Sequence, residues 1–275
     1  MPTSIATASR RSLVLGGAAA LAGCASSIGP ASSQAKADLA GSTGSLRAAI
    51  NYGNPVLASR GPDGRPRGVS VDLAHEVARR LDLPLRFITF GAAGQVTQAM
   101  QKREIDLGFV AIDPVRGADM EYTPPYVVIE GSYLVRADST LQRNEDVDRP
   151  GNRVVVGRGS AYDLFLTRQL KNARLVHAPT SAAVTDLFLA QRLEVAAGVR
   201  QQLEADARRV GRGVRLLPGR FQVIEQAMAV PKGRTGAQQW LTGFIEEMKS
   251  SGFVAEALKR HGVEGAGVAP PARRR

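Results

Sequence analysis

Arg153-Val154-Val155-Val156-Gly157-Arg158-Gly159-Ser160-Ala161 is the stretch from which the rest of the chain can be read. Three successive valines bounded by turn residues read as a strand buried on both faces, because a half-exposed strand would alternate apolar with polar side chains. The glycines and Ser160 then turn the chain tightly into a segment of helical period, Ala161 to Leu170. Strand, turn and helix in that order are the repeating unit of a mostly parallel sheet, so the fold class is α/β.

The same alternation runs outward in both directions. Upstream lie a strand from Leu46 to Tyr52 and a turn at Gly61-Pro62-Asp63-Gly64. A helix follows from Val71 to Leu81, with Leu73, Ala74, Val77, Ala78 and Leu81 on one face. A strand at Leu85 to Phe90, a helix at Gln95 to Lys102 and a strand at Ile105 to Ile112 complete a β-α-β-α-β half. Downstream, Leu175 to His177 is a strand, and Thr180 or Ser181 is placed to cap a helix reaching Leu193. Val195 to Val199, Val214 to Leu217 and Gln226 to Val230 are further strands, and Gln201 to Val210 a helix. Two helices, Gly236 to Ser250 and Phe253 to His261, are separated at Ser251-Gly252.

With 275 residues and 44% hydrophobic content, the chain can bury one large core or two smaller ones. Its single cysteine, Cys24, excludes an intramolecular disulfide framework and a multi-cysteine zinc site, and three scattered histidines supply no metal motif. The formal net charge of +11 would suit a nucleic-acid binder, but aromatics are only 5% and the arginines are spread along the chain, so basicity alone decides nothing. Residues 1–23 carry no acid, the pair Arg10-Arg11 and an apolar run from Leu13 to Ala22, the order of an export signal. That run is too short for a bilayer span of ~20 residues. Ser9-Arg10-Arg11-Ser12-Leu13-Val14-Leu15 resembles a twin-arginine signal, without that signal's usual phenylalanine and lysine. Leu21-Ala22-Gly23-Cys24 resembles a lipobox, in which Cys24 is acylated; cleavage after Ala22 would leave a bare thiol instead. An exported protein has little access to genomic DNA or cytosolic RNA. Residues 24–45, mostly Ala, Ser, Gly and Thr, are expected to form a flexible tether, and residues 263–275, ending in three arginines, a disordered basic tail.

Several landmarks fall in register from Leu46 to Gly262. They are Gly68-Val69-Ser70-Val71-Asp72-Leu73-Ala74, Ile105-Asp106-Leu107-Gly108, Asp113-Pro114-Val115-Arg116, Thr123-Pro124-Pro125-Tyr126 and Ala227-Met228-Ala229-Val230-Pro231-Lys232-Gly233. Together they resemble the extracellular solute-binding proteins of ABC transporters, family 3, whose best-known members bind polar amino acids. The resemblance implies a two-lobe periplasmic binding protein fold with solute held in the cleft between lobes. One lobe would be discontinuous, residues 46–126 plus 225–262, and the other would span 127–224. It also implies an ABC permease as partner, a monomer, and no cofactor or metal.

The resemblance assigns Arg116 to the solute's carboxylate, which a guanidinium can hold with two parallel charge-assisted hydrogen bonds; the plain alternative is a solvated arginine. Asp113 lies beside it. Gly159, Ser160 and Ala161 would offer amides and one hydroxyl to the same carboxylate, or simply form a tight turn. Tyr52 and Asn54, after the first strand, would cover the solute, though half-buried packing explains Tyr52 equally well. Departures from the family pattern point to an unusual solute. Val199 stands where an aspartate meets the ligand's ammonium, Arg200 beside it has the opposite charge, and Phe109 and Ala111 replace hydroxyl residues. An ammonium placed there would lose its counter-charge, so an anionic or carboxylated solute is expected, unless Asp113 or Glu225 supplies the missing carboxylate. Gln226 is read as a ladder residue facing solvent, and Trp240 as core.

No G-x-S-x-G or H-E-x-x-H motif occurs, so a hydrolase is disfavoured. Two alternatives remain open beside transport. One is an enzyme similar to the cyclohexadienyl dehydratases found on this scaffold, with Glu130 or Asp163 as general acid; the other is a ligand-binding partner of a sensor.

Overall fold

Why the valine strand of the sequence is buried on both faces is plain from the computed structural model, which describes residue 1 and residues 30–272. Elements follow in the order α1 (Pro30–Ala40), β1 (Leu46–Asn51), β2 (Ser59–Arg60), β3 (Pro66–Arg67), α2 (Val69–Leu81), β4 (Leu85–Phe90), α3 (Ala93–Gln101) and β5 (Gly108–Ala111). Next come β6 (Met120–Arg136), β7 (Arg153–Gly157), α4 (Ala161–Gln169), β8 (Arg174–Ala178), α5 (Val184–Ala190), β9 (Val195–Val199), α6 (Arg200–Val210) and β10 (Val214–Leu216). The chain returns through β11 (Gln222–Pro231) to α7 (Thr235–Ser250), α8 (Phe253–Arg260) and β12 (Gly267–Val268).

In the second lobe, Val154 and Val156 enter one apolar cluster with Tyr133, Leu166 and Val195. Val155, pointing the other way, enters another with Leu134, Phe188, Ala196 and Leu203. The period of two along the strand thus feeds two helix layers at once. In the first lobe, Leu46, Ile50, Leu73, Val77 and Leu81 meet Phe109, Leu241 and Ile245 in one cluster, while Ala49, Val96, Met100 and Val110 form a second beneath α3.

Two long strands join the lobes. β6 has 17 residues and continues from one lobe into the other. β11 runs antiparallel beside it, from Gln222 opposite Gly131 to Pro231 opposite Met120, with irregularities on both sides of Ala227. The sheet they build has the order β5-β11-β6-β9-β7-β8, and β10 and β12 also pair with β6. Parallel pairing joins β7 to β8 and β9, and β1 to β4.

Three expectations from sequence need correction. Residues 24–45 are not wholly a tether: α1 lies inside them, with Ala35 and Leu39 fully buried one helical turn apart. Small residues let α1 approach α7 closely, and Asp38 Oδ2 accepts a hydrogen bond from the Ala237 amide at 2.9 Å, satisfying a free N–H in the first turn of α7. Nor is the C-terminal segment a disordered tail as far as residue 272. Gly267 and Val268 pair with Val128 and Val127, the Ala269 amide donates to Tyr126 O at 3.0 Å, and Ala269 is buried. A short backbone ladder orders this segment without a large apolar side chain to announce it. Finally, Thr180 precedes a 3-10 turn, Ser181–Ala183, and makes no side-chain cap. The export signal, the twin-arginine pair and Cys24 lie outside the described residues.

If α1 is part of the first lobe, Leu39→Ala should destabilise the protein by about 2–5 kcal/mol, the usual cost of emptying a buried leucine site. Urea unfolding of the two proteins measures this; a midpoint unchanged by the substitution would return α1 to the role of a tether.

Candidate functional site

The strand β5 ends at Ala111, and the turn that follows aims its arginine. Asp113 Oδ1 accepts a hydrogen bond from the Val115 amide at 2.9 Å, and the Asp113 carbonyl accepts from Gly117 N at 3.0 Å. This side-chain-capped turn carries Arg116 back over the end of β5. One guanidinium nitrogen of Arg116 donates to the Ala111 carbonyl at 3.2 Å, and the other crosses the cleft to the Gly159 carbonyl at 2.7 Å. Arg116 is only 3% exposed. Burial pushes its pKa down, opposed by the charges of Tyr122, Asp113 and Asp163. None of those groups forms an ion pair with it: the cation is desolvated and held by neutral carbonyls.

Asp113 is used otherwise than expected. Its Oδ2 accepts from Arg168 on α4 at 2.8 Å, so a buried carboxylate of one lobe is paired with a half-exposed arginine of the other. The lobes also meet through backbone. Gly159 sits at φ +69°, and a Cβ there would come within 3.1 Å of Gly94 Cα at the start of α3.

The turn between β7 and α4 is largely satisfied from within. Ser160 Oγ caps the helix by accepting from Asp163 N at 3.0 Å, and Asp163 Oδ2 accepts from Gly159 N at 2.7 Å. Its other oxygen meets His177 Nε2 at 2.9 Å. Asp163 therefore occupies the positive end of its own helix, and the first-turn amides of Ala161 and Tyr162 are what remain for another acceptor.

Between these parts lies a small cavity of about 40 Å³, enough for a few waters. Its polar lining is Arg116, Asn51, Asn54, Gln226, Ser160 and Ser181; Val110, Ala111, Val199 and Ile224 form apolar walls. Among the described residues no acidic side chain lines it. Asn54 Oδ1 is buried there without a hydrogen-bond partner.

Of the residues expected from sequence, Arg116, Ala111, Asn54, Ser160 and Ala161 line this cavity; Gly159 is outside the lining and meets Arg116 through its carbonyl. Val199, the altered position, also lines it. Four other expected residues do not. Asp113 stands behind Arg116 in the interlobe ion pair. Phe109 points into the core and meets Tyr126 edge-on at 6.2 Å. Tyr52 lies under the Arg60 guanidinium, 5.3 Å from its ring centroid. Arg200 pairs with Glu130 at 2.8 Å and donates to the Gly219 carbonyl, so its charge is neutralised within the second lobe. Glu225 is exposed and lies outside the lining, so neither it nor Asp113 replaces the missing carboxylate. Gln226, read as a solvent-facing ladder residue, is 5% exposed and lines the cavity. Its strand partner is Ala111, which brings the two residues to the same cleft; that pairing is tertiary and left no signal in sequence.

The family profile of the bacterial extracellular solute-binding proteins, family 3, matches residues 46–264. The chain belongs to this family. Solved structures share the architecture at low identity. An L-cysteine solute receptor of Neisseria gonorrhoeae has a TM-score of 0.71 at 19% identity, covering 81% of this chain and 91% of that one. A putative ABC-transporter binding component of Wolinella succinogenes, complexed with lysine, has a TM-score of 0.69 at 22% identity and covers 79% and 95%. An ancestral amino-acid-binding protein described as a precursor of cyclohexadienyl dehydratase has a TM-score of 0.67 at 18% identity, covering 79% and 94%. Among curated proteins no sequence matches. Membership in this family makes the chain a two-lobed solute-binding protein.

For the interlobe ion pair, Arg168→Gln should leave Asp113 buried with a weaker partner and lower stability by about 1–3 kcal/mol. Small-angle X-ray scattering should also show a larger radius of gyration as the open form gains population. A variant as compact and as stable as the parent would mean that Asp113 and Arg168 hold nothing shut.

Proposed function

We propose that this solute-binding protein delivers to an ABC importer and that its solute is a small carboxylate without an α-ammonium. The observation that carries the proposal is Arg116: a desolvated cation with only carbonyl acceptors, facing a cavity that has no acidic residue. A solute carboxylate would supply the missing counter-charge and retain a bidentate geometry. An ammonium brought to the Val199 wall would be desolvated near a like charge with no anion to receive it, and the cost exceeds that of an ordinary unmet hydrogen bond. Amino acids, such as the L-cysteine and lysine of the Neisseria and Wolinella proteins, are therefore disfavoured here.

A carrier fits better than a catalyst. The two carboxylates considered as general acids are committed elsewhere: Arg220, then Arg200, hold Glu130 below the usual carboxylate range, and Asp163 is consumed by Gly159 N and His177. Neither lines the cavity, and a general acid must reach the atom it protonates. Export through the twin-arginine-like signal and lipid attachment at Cys24 complete the proposal and rest on the residues quoted above.

Calorimetric titration of the mature protein with short carboxylic acids and with the matching amino acids is the test. The acids should bind, be recovered unaltered, and lose about 2–5 kcal/mol of affinity in Arg116→Ala. Tighter binding of the amino acids, or an affinity indifferent to Arg116, would overturn the assignment.

A further inference from the structure

Resting on the carboxylate reading of Arg116, the remaining polar groups of the cavity narrow the solute class. Asn54 Oδ1 is buried and has no hydrogen-bond partner. A buried acceptor left unmet is costly, and such groups in folded proteins ordinarily find a donor. The segment around it is firmly held. The Gly53 amide donates to Asn51 Oδ1 at 2.9 Å, and the Asn54 carbonyl accepts from Leu57 N at 3.1 Å and Ala58 N at 3.2 Å. A Cβ on Gly53 would lie 2.6 Å from the Gly91 carbonyl, so the backbone cannot relax outward.

A donor for Asn54 must come from whatever fills the cavity. It must also be neutral, since the lining holds one cation, no anion, and amides and hydroxyls for the rest. A hydroxyl meets both requirements. It gives its proton to Asn54 Oδ1 and accepts from a neighbouring amide donor, for which Gln226, nine-tenths buried in the same lining, is available. The aliphatic walls Val110, Ala111, Val199 and Ile224 then take the carbon skeleton.

We infer that this protein selects hydroxy acids: Arg116 binds the carboxylate and Asn54 accepts from a hydroxyl of the same molecule. Asn54 is in this account a specificity-determining residue, distinct from Arg116, which supplies the charge.

The experiment uses matched trios that differ in one substituent, titrated into the full mature chain: lactate, propionate and alanine, and the larger hydroxyisocaproate, isocaproate and leucine. A site built to receive a hydroxyl should bind the hydroxy acid at least ~10-fold tighter than its deoxy counterpart, the ratio expected for one buried hydrogen bond. Asn54→Leu, which removes the acceptor, should bring that ratio to about 1. Asn54→Asp, which places an anion at the same point, should turn the order toward alanine and leucine. Circular dichroism melts accompany both variants; if the leucine variant does not fold, the aspartate variant alone decides through its change of order. Deoxy acids binding as tightly as hydroxy acids in the parent protein, with the order unchanged in Asn54→Asp, would overturn this inference while the carboxylate reading stands. If no acid of either trio binds and amino acids do, the carboxylate reading fails first and takes this inference with it.

Discussion

The structure turns on one desolvated charge. Arg116 leaves water to lie between two lobes, and what meets its guanidinium are backbone carbonyls, one from each lobe. Carbonyl dipoles soften the cost of burying a cation but do not cancel its charge. The cleft thereby retains a demand for an anion that no side chain of its lining satisfies. On the proposed carboxylate reading, orientation and selection follow from that demand, and the same guanidinium touches both halves.

Closure has a mechanical basis in the crossing strands. β6 and β11 run side by side through both lobes, and the irregular pairing around Ala227 falls where they pass between them. Gln226 sits at that irregularity and lines the cavity. A ligand that touches Gln226 on one side and Ser160 on the other has differential contacts with the open and closed forms, which is what a population shift requires. The Asp113–Arg168 pair, one partner buried and the other half-exposed, adds a closing bias that does not depend on the solute.

Local patterns in the sequence were informative where local physics decides. Val154 to Val156 announced a strand buried on both faces, whereas the role expected of Arg116 came from the resemblance of Asp113-Pro114-Val115-Arg116 to a family motif. What could not be read was set by partners distant in sequence. Arg200 looked like a charge for the cleft because Glu130, 70 residues away, gives no hint of claiming it. Tyr52 is covered by Arg60 and not by the cavity. The helix α1 is a further case: its apolar face amounts to Ala35 and Leu39, too little to stand out, and it is ordered because α7 offers a surface that small side chains can approach. Gln226 depended on a register with Ala111 that only the assembled sheet defines.

The meeting of Gly94 with Gly159 has a consequence for how this protein can evolve. Where two bare backbones touch across the cleft, the stopping point of the jaws is set by main chain, which mutation cannot trim. A side chain at Gly159 would press on Gly94, its Cβ coming within 3.1 Å of that Cα, whereas a Cβ at Gly94 would meet Gly159 at an ordinary 3.5 Å. New solutes must therefore be accommodated by carving the walls at Val199, Ile224 or Asn54, within a gape whose width is already decided.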